Sequence, residues 1–174
     1  TGLPPARLMD TRLPPPPPPP QIFTFGAGTH LVNVAIPPGR YAAASAHSGC
    51  YWERLSGLGG TIGEILANDF QGFTGRVIVD VLSSDVAFKV DSDCGTFTTY
   101  TAPVAAPASS ITPGAHVVGA HILSGTYTTL AASGCYWERL TAFSGWGGSI
   151  IANDFVGSAG TQFVTISPTD AGFY

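Results

Sequence analysis

The octapeptide Ser48–Leu55 (Ser-Gly-Cys-Tyr-Trp-Glu-Arg-Leu) decides how this sequence is interpreted, because it returns unchanged as Ser133–Leu140. The spacing is 85 residues (135 − 50 for the two cysteines), and it also carries Ala67–Phe70 onto Ala152–Phe155. Upstream of Gly49 the spacing becomes 86 residues, so one residue was gained or lost there. Self-similarity at a fixed spacing is typical of a duplicated structural unit. The chain therefore contains two copies of one module, called copy 1 and copy 2 below.

Short alternating segments separated by glycine and proline turns predict an all-β fold. In copy 1 the predicted strands are Gln21–Phe25, His30–Ile36, Arg40–Ala44, Cys50–Leu55, Arg76–Leu82, Val86–Val90 and Gly95–Thr101. The glycine-rich segment 57–69 is predicted to hold at most one helical turn. Many short strands at close spacing are typical of a small β-sandwich or barrel. We therefore expect two tandem modules of this kind.

Composition divides the chain into four segments. Residues 1–20 are an extended arm, because the uninterrupted prolines 14–20 favour polyproline II. This arm is a spacer, an anchor laid along a partner, or a ligand for a proline-reading domain. Residues 21–100 form copy 1, residues 101–113 a linker rich in Ala, Pro and Ser, and residues 114–174 copy 2. Copy 2 is expected to be incomplete, since no counterpart of Val90–Tyr100 follows Tyr174 in the sequence.

The composition favours a chain that is covered by neighbours. Charged residues make up 10% of the 174 residues, whereas solvated surfaces normally carry more charge. A net charge of −4 without a basic stripe argues against nucleic-acid binding. No apolar run approaches the roughly 18 residues that a membrane-spanning helix needs. Neither nucleic acid nor a membrane span is therefore expected.

Two of the three cysteines lie at the start and the end of the core of copy 1. A disulfide between Cys50 and Cys94 would close a loop of more than 40 residues (94 − 50 = 44). Such a loop contributes on the order of 4 kcal/mol in the chain-entropy model and implies an oxidising compartment. The alternative is a pair of reduced buried thiols. Cys135 in copy 2 has lost its partner, and is either a small buried hydrophobe or half of an intermolecular bridge.

The missing last strand of copy 2 predicts an unpaired sheet edge. A segment that alternates Phe and Thr, as Gly95–Thr99 does, begins copy 1 and has no assigned counterpart in copy 2. Its residues are Gln21, Ile22, Phe23, Thr24 and Phe25. We expect it to complete the sheet of copy 2, in the same chain or in a neighbour. The alternative is that copy 2 packs its open edge on copy 1 or on a different protein.

The sequence holds no motif of a known catalytic class. Gly-x-Ser-x-Gly, His-Glu-x-x-His and a phosphate-binding glycine loop with its lysine are all absent. The four histidines show no metal-ligand spacing, so no metal, cofactor or enzymatic activity is expected. Glu53 is predicted to form a strand ion pair beside Arg54. The repeated dipeptides Asn68–Asp69 and Asn153–Asp154 favour Asx-turns over a calcium site.

Aromatic residues give two further predictions. Trp52 and its counterpart in copy 2 are predicted to be core residues on which the following arginine stacks. Copy 2 also replaces Leu58 and Thr61 by Phe143 and Trp146. An exposed aromatic pair on a loop stacks on sugars or inserts into a partner. The alternative is that this pair packs between the two copies or against the next subunit.

The motifs Ser-Gly-Cys-Tyr-Trp-Glu-Arg-Leu, Ile-x-Ala-Asn-Asp and Cys-Gly-Thr-Phe resemble those of small tandem β-modules in actinobacterial secreted proteins and lipoproteins. Related stretches are expected in virion proteins of phages that infect those hosts. The resemblance covers residues 28–100 and most of residues 114–174. It implies a noncatalytic extracellular module with a bridge between Cys50 and Cys94. Copy 2 departs from the pattern because it lacks the second cysteine and the final strand.

Together these features favour a structural or display subunit of an exterior assembly, anchored through its N-terminal arm. A phage virion decoration or tail component and a bacterial surface filament both fit. Its partners would be copies of itself or other subunits, held by the arm and the open sheet edge, at an extracellular or virion surface. The alternative is a carbohydrate- or cell-wall-binding module whose partner is a cell-surface glycan.

Overall fold

A computed structural model describes residues 21–174, and the arm predicted for residues 1–20 lies outside this range. Each copy is all-β, as predicted, and its strands pair antiparallel. In copy 1 the strands are β1 (Thr24–Phe25), β2 (Gly28–Leu31), β3 (Gly39–Ala46), β4 (Cys50–Leu55), β5 (Ile65–Gln71), β6 (Gly75–Val81), β7 (Ala87–Val90) and β8 (Phe97–Thr99). In copy 2 they are β9 (His116–Val117), β10 (Gly125–Ala131), β11 (Cys135–Leu140), β12 (Ile150–Val156), β13 (Gly160–Ile166) and β14 (Gly172–Phe173).

Copy 1 is a sandwich of two four-stranded sheets, with the orders β1-β8-β3-β6 and β2-β7-β4-β5. Its core lies between them and includes Tyr41, Phe88 and Phe97, which are exposed by 1% or less. Alternate residues of each strand point inward, as in β6, where Val77, Val79 and Val81 are buried. The burial of these side chains supplies the main stabilisation of so small a module.

Copy 2 repeats one sheet completely and the other only in part. The order β12-β11-β14-β9 matches β5-β4-β7-β2 of copy 1, but the second sheet consists of β10 and β13 alone. Within residues 21–174, no strand stands in copy 2 where β8 and β1 stand in copy 1. The core of copy 2 is correspondingly smaller and centres on Ile122, Ile166 and Phe173.

The described residues also contain three short 3₁₀ turns, at Ile62–Glu64, Ser92–Cys94 and Gly147–Ser149. The first and third occupy matching positions in the glycine-rich loops that precede β5 and β12. The described residues include no helix long and apolar enough to cross a membrane.

Three local predictions were wrong. Strand β5 begins at Ile65, inside the segment predicted to be a glycine-rich loop. The sequence hides this strand, because polar Asp69 lies on its inward face and apolar Phe70 on its outer face. The predicted Asx-turn is therefore absent: Asn68 and Asp69 both lie in the strand and face Glu53 and Trp52 of β4. The strand predicted for His30–Ile36 ends at Leu31, and a turn with Asn33 at a φ of 65° follows.

Candidate functional site

The disulfide between Cys50 and Cys94 is present, as predicted. It joins the start of β4 to the 3₁₀ turn before β8, and both cysteines are fully buried. Asp91 supports this turn, because its carboxylate accepts hydrogen bonds from the backbone N–H groups of Tyr51 and Asp93. The bridge therefore fixes the segment that brings β8 to the sheet.

The prediction that Gln21–Phe25 completes the sheet of copy 2 was wrong. Thr24 pairs with Thr98, and Phe25 pairs with Phe97, so the segment extends copy 1. The ring of Phe25 packs against those of Tyr41 and Phe97, with centroids 5.1 and 5.9 Å apart. These aromatic contacts favour pairing with copy 1 over pairing with copy 2.

One predicted charge arrangement is present and another is not. Glu53 forms a strand ion pair, as predicted, and its partner is Lys89 on the neighbouring strand at 2.8 Å. Instead of stacking on Trp52, Arg54 makes a bidentate pair with Asp85, with both distances 2.7 Å.

The arginine–aspartate pair is repeated in copy 2, where Nε and Nη2 of Arg139 donate hydrogen bonds to the carboxylate of Asp170. This charge pair lowers the pKa of Asp170. Each aspartate also accepts a hydrogen bond from a backbone N–H in the turn that precedes the next strand. Asp85 accepts from Leu82 before β7, and Asp170 accepts from Ser167 before β14. The sequence carried a signal for these pairs, since both partners recur 31 residues apart in each copy (85 − 54 and 170 − 139).

Phe143 and Trp146, the proposed partner contacts, lie in different environments. Phe143 is 4% exposed and packs on copy 1, whereas Trp146 is 65% exposed. The expected packing between copies therefore accounts for Phe143 and leaves Trp146 at the surface.

The contact between the copies is built around Phe143. Its carbonyl accepts from the backbone N–H of Asp80 at 2.8 Å, and its N–H donates to the Asp80 carboxylate at 2.9 Å. Asp80 is also paired with Arg40, whose guanidinium lies 4.7 Å from the centre of the Phe143 ring. Nearby, Arg54 donates to the carbonyl of Ser144 at 2.7 Å, and the Trp52 ring lies directly under Gly145.

This contact covers the outer face of the β3–β6 sheet of copy 1. Ile78 on that face is 5% exposed and packs with Leu140 and Phe143 of copy 2. We call the outer surface of the β3–β6 sheet in copy 1, and the matching surface of the β10–β13 sheet in copy 2, the sheet face. We call the loop surface around Phe143 in copy 2, and the matching surface around Leu58 in copy 1, the loop face.

Each copy has both faces. The face that takes no part in the contact between the copies is uncovered. On the sheet face of copy 2, Phe163 stands in place of Ile78 and is 69% exposed, and nearby Leu130 is 80% exposed. On the loop face of copy 1, Leu58 stands in place of Phe143 and is 61% exposed. A cavity of about 420 Å³ opens beside Leu58 and is lined by Leu55 and Ile65.

A cleft of about 400 Å³ lies between the copies, with Trp146 at its wall. Burial raises the pKa of both Asp69 and Glu138, which line it. The hydroxyl of Tyr136 donates to Glu138 at 3.0 Å. Trp52 also lines the cleft, and its Nε1 has no hydrogen-bond partner among the described residues.

A larger cavity, of about 640 Å³, opens between the two sheets of copy 2. Cys135 lies in its wall, is half-buried, and carries a free thiol. Among residues 21–174, the only cluster with the spacing of metal ligands is Cys50, Asp91 and Cys94. Its two sulfur atoms are bonded to each other, so this cluster offers no ligand set.

The family model of the Rv1352-like extracellular domain matches residues 23–98 and 108–174. These two segments cover most of the chain, one for each copy, and the chain belongs to this family. The second match begins at Ala108, whose backbone is hydrogen-bonded to His121 and Leu123 of copy 2. No curated protein and no solved structure matches the chain. Membership of this family makes the protein extracellular.

Proposed function

We propose that this extracellular chain is a non-enzymatic structural subunit that joins copies of itself head to tail in an exterior assembly. A bacterial surface filament is the form that the geometry supports best, and a phage virion component is the other. The observation that carries the proposal is the pair of uncovered faces: copy 1 leaves its loop face bare and copy 2 leaves its sheet face bare.

The contact inside the chain provides the template for the contact between chains. In the chain, the loop face of copy 2 covers the sheet face of copy 1. If copy 1 of a second chain approaches copy 2 in the same way, its Leu58 reaches the surface around Phe163 and Thr165. An interface between two different surfaces leaves one free surface at each end of the assembly. Further chains can therefore be added at both ends, unless the rotation from one chain to the next closes the assembly into a ring.

The differences between the copies predict that the contact between chains is weaker than the contact within the chain. The Arg40–Asp80 pair, which holds the backbone of Phe143, is replaced by Thr126 and Thr165. The hydroxyls of these two threonines lie 3.0 Å apart and bind each other. The second contact thus lacks a charged partner for the loop backbone, which favours reversible assembly.

Other features support an assembled protein. Only 10% of the residues are charged, and exposed apolar patches of this kind mark interaction sites. The proline run at residues 14–20 is a sequence pattern typical of spacers and anchors. The resemblance to tandem modules of actinobacterial surface proteins and phage virions agrees with either setting.

Light scattering on the full chain tests the proposal. We expect the molar mass to rise with concentration in steps of the 17.9 kDa chain. Phe163→Asp removes the sheet face of copy 2, and Leu58→Asp removes the loop face of copy 1, so each variant should be monomeric. A mixture of the two retains one intact face on each partner and should stop at the dimer.

The matched control is Val104→Asp, because Val104 is fully exposed in the linker, away from both faces. This variant should assemble like the parent chain. A chain that stays monomeric at every concentration, or three variants that behave alike, would refute the proposal.

A second candidate function is carbohydrate binding in the cleft between the copies. Exposed Trp146 provides a surface on which a sugar ring stacks, and the carboxyls of Asp69 and Glu138 accept from hydroxyls. The unpartnered Nε1 of Trp52 is a donor for the same ligand. Cell-wall pull-down should then be lost in Trp146→Ala and weakened in Asp69→Asn. Binding that is unchanged by both substitutions would remove this site.

A further inference from the structure

The cavity in copy 2, called the groove below, corresponds to a filled space in copy 1. Its walls are formed by inward-facing residues of both sheets and, on one side, by the segment Ser109–Gly114. Among these residues are Tyr127, Cys135, Trp137, Val164 and Phe173. Their counterparts in copy 1 are Tyr41, Cys50, Trp52, Val79 and Phe88, of which none is more than 4% exposed. In copy 2 the first four are only half-buried.

Copy 1 shows what fills this space. Cys94 and Phe97 stand between the sheets there, and both are 0% exposed. Cys94 is bonded to Cys50, and the ring of Phe97 packs at right angles on that of Phe88, 5.4 Å away. The segment that carries them also pairs with β3, through Tyr41↔Thr99 and Ala42↔Thr98.

Strand β10 of copy 2 has a free edge at the same position. It pairs with β13 along its whole length from Gly125 to Ala131, and within the described residues its other edge has no strand partner. Tyr127 and Thr128 lie where β3 receives β8. An unpaired edge beside an apolar groove is the arrangement that strand addition uses, in which backbone bonds give affinity and side-chain pockets give specificity.

We propose that the groove binds an extended strand presented by another polypeptide, with a cysteine followed three residues later by an aromatic residue. The strand pairs with β10, its aromatic side chain lies against Phe173, and its cysteine forms a disulfide with Cys135. The groove is separate from the sheet face and the loop face, so binding of the strand is independent of head-to-tail stacking.

The covalent step is a thiol–disulfide exchange. The incoming cysteine arrives as a mixed disulfide with a small thiol such as glutathione. The Cys135 thiolate attacks the sulfur of the strand, a new S–S bond forms, and the glutathione thiolate leaves and takes up the proton released by Cys135. No electrons are gained or lost overall, and the half-exposed position of Cys135 admits this attack.

Copy 1 itself provides the probe. The synthetic peptide with the sequence of residues 90–100 (Val-Asp-Ser-Asp-Cys-Gly-Thr-Phe-Thr-Thr-Tyr), carrying glutathione on its cysteine, is added to the full chain with the Phe163→Asp substitution. This substitution prevents stacking of chains, so failure of the groove and failure of head-to-tail assembly are separable. Peptide binding is measured by fluorescence anisotropy, and adduct formation by mass spectrometry after proteolysis.

We expect an adduct at Cys135 that forms at least tenfold faster than with a scrambled peptide of the same composition. Replacing the phenylalanine of the peptide by Ala should weaken noncovalent binding roughly tenfold or more, as for a buried aromatic anchor. The variant Gln162→Val should tighten it, because Val77 occupies this position in copy 1. A Cys135→Ala chain should still bind the peptide without forming an adduct.

Equal adduct rates for the designed and scrambled peptides would overturn the proposal. So would binding that is insensitive to both the phenylalanine and the Thr128→Pro substitution, which removes a backbone donor from the β10 edge. Circular dichroism and the Cys50–Cys94 disulfide report that each variant is folded.

Discussion

Two glycines at matching positions allow the contact between the copies to be measured with an internal control. Gly145 in copy 2 and Gly60 in copy 1 have φ angles of 68° and 74°. An L-residue in this conformation costs roughly 1–2 kcal/mol at either position. A Cβ on Gly60 meets nothing within 4 Å, whereas a Cβ on Gly145 lies 2.2 Å from Cη2 of Trp52.

The Trp52 ring cannot move away freely, because it is 4% exposed and packs on Phe88 at a centroid distance of 5.9 Å. Overpacking of this kind costs about 1–3 kcal/mol more. We therefore expect Gly60→Ala to lower the free energy of unfolding by roughly 1–2 kcal/mol, and Gly145→Ala by roughly 2–5 kcal/mol.

Urea denaturation followed by tryptophan fluorescence measures both values. The difference between the variants isolates the contact of Gly145 with Trp52, since the backbone term is shared. Equal losses in the two variants would show that this contact does not contribute, and would refute the packing of the loop face on copy 1.

Three further predictions concern the disulfide and charged groups of the two copies. Replacing Cys50 and Cys94 together by Ser should lower the stability of copy 1 by about 4 kcal/mol, measured by denaturation, because the bridge closes a loop with a separation of 44 residues; a loss below about 1 kcal/mol would contradict the role given to it. Asp85→Asn should lower the free energy of unfolding by about 3–5 kcal/mol, since it leaves the buried guanidinium of Arg54 unpaired. Asp170→Asn should lower it by less, because the side chain of its partner Arg139 is 22% exposed. The reverse order in thermal melts would be inconsistent with these burials. Burial, followed by neighbouring positive charge, lowers the pKa of His121 to about 4, and its Nδ1 accepts from a backbone N–H at 3.0 Å. The unfolded chain therefore takes up the proton first as the pH falls, so stability should decrease between about pH 6.5 and pH 4, and His121→Gln should reduce this slope in pH-dependent denaturation.

The sequence predicted the parts of the fold that depend on local pattern. The repeat of Ser48–Leu55 identified the two modules, and alternation located most of the strands. The disulfide followed from the places of Cys50 and Cys94 at the two ends of one module. Strand β5 was missed, because its inward face carries Asp69 and Gln71 while its outer face carries the exposed Leu66 and Phe70, which obscures the alternation.

The partner of each surface could not be read from the sequence, since it depends on which elements meet in three dimensions. The alternation of Gln21–Phe25 indicates a strand, but aromatic packing on Tyr41 and Phe97 decides that it joins copy 1. Similarly, Phe143 and Trp146 lie three positions apart in the sequence, yet one is buried against Arg40 and the other is exposed. The residues that bury Phe143 come from copy 1, and nothing in the local sequence around Phe143 indicates them.

The most direct measurement of chain-to-chain contact is disulfide trapping between counterpart positions. Inside the chain, the backbone of Asp80 donates to the carbonyl of Phe143 at 2.8 Å, and the counterparts of these residues are Thr165 and Leu58. In a Cys135→Ser background, a chain carrying Leu58→Cys and Thr165→Cys should form a ladder of disulfide-linked multimers on a non-reducing gel. A chain that stays monomeric, or that links no faster than a Leu58→Cys, Val104→Cys control, would contradict head-to-tail assembly through these faces.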